Sequence, residues 1–209
     1  MTRRILLLGA HTDDGEWGCG ASVHKWTGQG DDVRYVAFSA AEESVKPEYS
    51  RDILRHEVLD GAALMGIPKS RVRVLDFPVR NFPQHRQPIL ETLVALRNEY
   101  QPDLVMVHCS TDTHQDHETL NRESFRAFKK TSILGYEIPH NCRISEPAYF
   151  NPLDRENIEA KVAALSAYKS QLWRAGDLSE LLYGQGAVRG SQIGVPYAEA
   201  FEVIRWVEH

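Results

Sequence analysis

At 209 residues with 42% apolar side chains, the chain fits one globular domain spanning residues 1–209. Its formal net charge of -5 leaves no basic stripe for a phosphate backbone, which excludes nucleic acid as the expected partner and favours a small molecule. Cys19, Cys109 and Cys142 are odd in number and form no Cys-x-x-Cys pair, so free thiols in a reducing compartment are expected rather than a disulfide framework.

The chain opens Met1-Thr-Arg-Arg-Ile-Leu-Leu-Leu, and its apolar run stops at Gly9-Ala10-His11 before two aspartates, so it reads as a buried strand over Ile5 to Leu8 rather than a leader. A short helix is expected from Gly20 to Trp26, ending near Gly28, with a strand from Val33 to Phe38. The alternation repeats with a helix from Tyr49 to Met65, a strand from Val72 to Leu75, a helix from Pro88 to Tyr100 and a strand from Leu104 to Val107. Beyond it come a helix from Asp116 to Lys129, short strands over Ile133 to Ile138 and Ala148 to Phe150, and a helix from Arg155 to Leu172. The glycine-rich stretch from Tyr183 to Gly194 reads as a loop, followed by an apolar segment from Ala200 to Val207. Strands alternating with helices predict a three-layer α/β/α, Rossmann-like domain with a mainly parallel sheet. No run approaches the roughly 20 apolar residues that cross a bilayer, so a cytoplasmic protein without a membrane partner is expected.

In such sheets, ligands bind beyond the carboxyl ends of the strands. Two polar clusters lie there: Ala10-His-Thr-Asp-Asp-Gly-Glu-Trp-Gly-Cys-Gly20 after the first strand and His108-Cys-Ser-Thr-Asp-Thr-His-Gln-Asp-His117 after the fourth. A catalytic divalent metal takes imidazole and carboxylate ligands and keeps a position open for water, and His11, Asp14 and His117 supply three ligands. Adjacent aspartates in a turn point in different directions, which leaves Asp13 to act as general base. His114 is placed to be protonated and to stabilise an oxyanion or donate to the leaving amine, and Asp116 to orient an imidazole. Each residue alone serves local structure more often than chemistry, and Asp13 or Asp14 could simply cap the following helix. Several carboxylates gathered with histidines would repel one another without a cation, which favours the metal site.

Ala10-His11-Thr12-Asp13-Asp14 and His114-Gln115-Asp116-His117 resemble the two signature motifs of the LmbE-like or PIG-L family of zinc-dependent N-acetylglucosaminyl deacetylases. Gly18-Cys19-Gly20, Glu57 and Leu64-Met-Gly66 extend the likeness, which weakens in the last third of the chain. It implies a Rossmann-like fold, Zn2+ or another divalent ion such as Fe2+ on His11, Asp14 and His117, and Asp13 as base. It also implies His114 as the group that stabilises the tetrahedral intermediate, an N-acetylated amino sugar as substrate, and homo-oligomers. Two positions depart from the pattern: Thr12 stands where the family usually has Pro, and Gly15 where it usually has Glu, with Glu16 one position later.

Two arginines are candidate substrate contacts: Arg80, in a stretch with Asn81, Phe82, His85 and Arg86 after the third strand, and Arg189 on the glycine-rich loop. Trp17 reads either as a stacking platform or as core. Three other functions remain: a non-haem iron oxygenase using two histidines and one carboxylate, a silent sugar- or nucleotide-binding relative suggested by Gly15, and a dinucleotide-binding protein. The last lacks the glycine fingerprint.

Overall fold

A computed structural model describes residues 2–174 and 178–208. One seven-stranded sheet runs through the chain in the order β3-β2-β1-β4-β5-β7-β6. Its strands are β1 (Arg4–Gly9), β2 (Asp32–Ala37), β3 (Val72–Val74), β4 (Leu104–His108), β5 (Ser132–Tyr136), β6 (Tyr149–Leu153) and β7 (Tyr197–Arg205). β1 to β5 pair in parallel, and β7 runs antiparallel to both β5 and β6. The expected α/β architecture with a mainly parallel sheet is therefore present.

The central strands are apolar throughout because both of their faces are covered, and alternate residues feed opposite cores. Ile5 and Leu7 of β1, with Leu104 and Met106 of β4, pack beneath α1 (Asp14–Gly28), α2 (Ile53–Leu64) and α5 (Arg155–Ser166). Leu6 and Leu8, with Val105 and Val107, pack beneath α3 (Arg86–Tyr100) and α4 (Gln115–Ala127). The strand order reverses between β1 and β4, so the turns leaving those two strands flank the crevice where such sheets bind ligands.

Several boundaries differ from the sequence expectation. The first helix begins at Asp14 rather than Gly20 and kinks at Cys19, whose φ is -149°. Gly18 sits just before that kink, where an added Cβ would lie 2.0 Å from the Tyr136 ring, so side-chain volume at Gly18 is excluded. The helix from Arg155 stops at Ser166 instead of reaching Leu172. The glycine-rich stretch forms most of α6 (Leu178–Ser191) rather than a loop. Gly186 and Gly190 serve packing, whereas Gly194, at a φ of 75°, turns the chain after the helix: a Cβ on Gly190 would meet the Val195 carbonyl oxygen at 2.5 Å where the helix end closes onto the approach to β7. No helix among the described residues is long and apolar enough to cross a membrane.

Candidate active site

The turn from β1 into α1 carries His11, Asp13 and Asp14, and the turn from β4 into α4 carries Asp112, His114, Asp116 and His117. Because β1 and β4 are neighbours, the two turns meet over a cavity of about 220 Å³ whose lining includes His11, Asp13, Asp14, Trp17, Arg80, His114 and His117.

Hydrogen-bond partners set the imidazoles. The Nε2 of His11 lies 3.1 Å from Asp116 Oδ2, a fully buried carboxylate that also accepts the backbone N–H groups of Arg80 at 2.6 Å and Phe82 at 3.2 Å. The Nδ1 of His117 lies 2.9 Å from Asp112 Oδ2. Each carboxylate accepts a hydrogen bond from its histidine's ring N–H, which turns the other ring nitrogen toward the cavity floor. There His11 Nδ1 and His117 Nε2 face each other at 3.2 Å. The Asp14 oxygens stand 3.5 Å from each of those nitrogens. Ligand atoms at 2.0–2.2 Å around a tetrahedral metal are about 3.4 Å apart, so the three side chains fit a divalent cation without rearrangement. Two facing lone pairs beside a carboxylate also need a cation or a proton between them.

The charges of the metal-free protein follow from this geometry. Burial opposes a charge on His11, but Asp14 and Asp116 outweigh it and raise its pKa to about 10. Burial and the neighbouring His108 push His117 down to about 4, against the pull of Asp14 and Asp112. Asp14, although buried, is held well below the usual carboxylate range by His117, His108 and His11. One proton held at His11 thus occupies the place a cation would take.

His114 stacks on His117 with ring centroids 4.4 Å apart and caps α4, its Nδ1 accepting the Asp116 N–H at 3.2 Å. Burial and the charge on His11 lower its pKa. Instead of the protonated imidazole expected from sequence, His114 is a neutral ring with its proton on Nε2, still a donor but not a cation. Asp13 occupies the N-cap position of α1, yet its side chain makes no capping hydrogen bond, so helix capping does not account for it. Asp14 likewise does not serve as that cap; its Oδ2 accepts the His11 N–H at 2.7 Å.

Two residues of the second polar cluster had no assigned role in the sequence. Asp112 orients His117 and also accepts the His114 N–H at 2.9 Å. His108 is fully buried and stacks under His117 with centroids 3.8 Å apart. Donor atoms of Asp14, His108 and His117 also fall within 4.8 Å of one another, as do those of His11, His114 and His117. Unlike those other histidines, His108 lines no part of the cavity. The spacing that marks Asp112 is its place two residues before His114 and five before His117, in the same tight turn.

The Gly15 departure has a steric counterpart. A Cβ at Gly15 would lie 2.9 Å from the Tyr35 ring. The Tyr35 hydroxyl and that of Tyr168 each contact both the Thr12 carbonyl and the Glu16 carboxyl, at 2.6 to 3.1 Å. Burial raises Glu16 to about 8 despite those hydroxyls, so it stays protonated at neutral pH and braces the turn as a neutral group.

Among the proposed substrate contacts, Arg80 lines the cavity, whereas Arg189 does not. Arg189 lies on α6, where its guanidinium pairs with Glu137 at 2.6 Å and donates to Ser145 at 2.8 Å. Arg86 is drawn away by the fully buried Glu123 at 2.7 Å, and His85 packs edge-on against Phe77. Trp17 lines the cavity and also packs partly on the core.

A family profile described as PIG-L, GlcNAc-PI de-N-acetylase, matches residues 6–128, which span both motif turns. The chain belongs to the PIG-L family. This PIG-L chain is 27% identical over 171 residues to a protein described as the uncharacterized deacetylase YaiS of Escherichia coli (strain K12), covering 79% of this chain and 90% of the relative. Its fold resembles that of N,N'-diacetylchitobiose deacetylase from Pyrococcus horikoshii with a TM-score of 0.79 at 22% identity, over 97% of this chain and 84% of that one. The 4-carboxy-2-hydroxymuconate hydratase GalB of Pseudomonas putida KT2440 shares the fold with a TM-score of 0.76 at 21% identity, over 100% and 99% of the two chains. A fold that serves both a deacetylase and a hydratase does not choose the reaction. Family membership and the histidine–aspartate cluster make this a chain of a deacetylase family with a site suited to a metal.

Proposed function

We propose that the protein is a metal-dependent de-N-acetylase that hydrolyses the linear, non-peptide amide of an N-acetylated amino sugar or sugar conjugate. The observation that carries this reading is the floor of the cavity, where His11 Nδ1, His117 Nε2 and the Asp14 carboxylate converge at 3.2 to 3.5 Å beside Asp13. In this reading His11, Asp14 and His117 hold the ion, taken to be zinc, with Fe2+ the other candidate.

The chemistry a divalent ion supplies there is Lewis acidity toward a water and an amide carbonyl. Asp13 takes the proton from the attacking water and passes it to the leaving amine. His114 donates from Nε2 to the oxyanion that develops on the acetyl carbonyl, and Asp116 and Asp112 hold His11 and His117 in register. Neutral His114 suits that role, because a hydrogen-bond donor is needed and a second cation is not.

The test is acetate release from a panel of N-acetylated amino sugars, free, glycosidically linked and nucleotide-linked, using protein stripped with a chelator and then reloaded with zinc or Fe2+. Metal-restored acetate release is expected. Because GalB shares the fold, the same samples are assayed for water addition to 4-carboxy-2-hydroxymuconate. Hydration without any acetate release would replace the de-N-acetylase reading.

A further inference from the structure

Arg80 is the only lysine or arginine among the described residues lining the cavity, and it is placed with unusual care. Its φ is 66°, in the left-handed region that non-glycine residues seldom enter. Two residues of the second motif hold it there: Asp116 Oδ2 accepts its N–H at 2.6 Å, and the Gln115 side-chain amide donates to its carbonyl at 3.3 Å. The same Asp116 oxygen contacts His11, so the backbone from which the Arg80 side chain projects is tied to the cavity floor.

Among the described residues, the guanidinium itself has no carboxylate partner. It donates to Ser44 Oγ at 3.0 Å, across from the segment that follows β2, and forms no ion pair among the described residues. Its neighbours in sequence and space behave differently: Arg86 pairs with Glu123, and Arg55 with Glu42 and Asp76. At about 220 Å³, the cavity lies below the roughly 300–1,000 Å³ typical of sites for drug-sized ligands. That volume suits a single sugar ring, and Arg80, which lines the cavity and is also exposed, is open to a substituent carried on that ring.

We propose that Arg80 binds an anionic group, a phosphate or a carboxylate, carried by the acetamido substrate, and that it sets a preference for anionic over neutral acetamido sugars. The proposal rests on the de-N-acetylase reading and names its substrate class. An arginine fork recognises either anion through paired N–H donors. Among the described residues Arg80 has no acid partner, which leaves it open to one that arrives with the substrate.

The experiment compares kcat/KM for N-acetylglucosamine, its 1-phosphate, its 6-phosphate and N-acetylmuramic acid on the metal-loaded enzyme. Wild type, Arg80→Asn and Arg80→Lys are used, because asparagine tolerates positive φ and so removes the charge while sparing the backbone. The ratio of the best anionic sugar to the neutral one is expected to exceed about 10, to fall about tenfold in Arg80→Asn, and to be largely kept in Arg80→Lys. Added sodium chloride should shrink it in the wild type and in Arg80→Lys but leave it unchanged in Arg80→Asn. The phosphate and carboxylate arms show which anion is preferred. A neutral sugar turned over as well as every anionic one, or an unchanged ratio in Arg80→Asn, would overturn the proposal. If no sugar releases acetate, the functional reading fails first, and calorimetric binding of the same four sugars to wild type and Arg80→Asn decides the anion question alone. Equal affinity of the phosphosugars for both proteins would then sink it.

Discussion

Metal binding should expel a proton that the metal-free site holds, and the number can be worked from the two ring nitrogens. His11 titrates at about 10 and His117 at about 4, so at pH 6 the first is charged and the second neutral. A cation between His11 Nδ1, His117 Nε2 and Asp14 requires His11 to give up its Nδ1 proton. Each ion bound at pH 6 therefore releases about one proton from His11. A zinc-bound water with a pKa near 7 adds only about 0.1. The sign follows: rising pH favours binding, and the logarithm of the apparent affinity should climb about one unit per pH unit between pH 5 and 7. At pH 7 the competing proton lies about three pH units below its pKa and costs about 4 kcal/mol of metal affinity. Titration calorimetry of zinc into chelator-stripped protein, in two pH 6 buffers of different ionisation enthalpy, counts the protons directly. Release close to zero, with a flat affinity between pH 5 and 7, would refute the reasoning.

The remaining predictions address the base, the orienting carboxylate, the packing under the site and the acid limb of stability. Asp13→Ala should keep its metal and lose about 10²- to 10⁴-fold in turnover, whereas His117→Ala should lose both, as metal analysis beside an acetate assay would show. Asp112→Asn should weaken metal affinity about 10- to 100-fold through His117, which competition with a fluorescent chelator measures; an unchanged constant would remove Asp112 from the site. Gly18→Ala drives a methyl into the Tyr136 ring and should cost about 1–3 kcal/mol or more, read as a lower midpoint in urea. In the metal-free protein, His117 contributes stability that is full above its ordinary pKa of 6.5 and lost as pH falls through about 4. His11 contributes stability that is full below 6.5 and lost as pH rises through about 10. Denaturant midpoints at pH 4, 6.5 and 9.5 should therefore peak at the middle value.

By itself the sequence determined the layer order and the location of the cavity. Unbroken aliphatic strands such as Ile5 to Leu8 mean burial on both faces, and polar clusters directly after two of them mark strand ends in any parallel sheet. That His11, Asp14 and His117 could share an ion was readable because ligand chemistry is a property of residue type. The tertiary structure alone decided the proton positions, because they depend on the local fold of the second turn, which sets Asp112 against His117, and on its distance from the first turn about a hundred residues away. Asp116 reaches His11 and Asp112 reaches His117, which turns one ring nitrogen of each toward the floor and leaves His114 neutral. It also decided the fate of the two arginines. Arg189 was expected on a loop because glycines commonly mark turns, but Gly190 is there so that a helix can close onto the chain before β7, which carries Arg189 to Glu137. Arg80 lines the cavity, without an ion pair among the described residues, on a backbone that a buried aspartate holds in a conformation no local propensity favours.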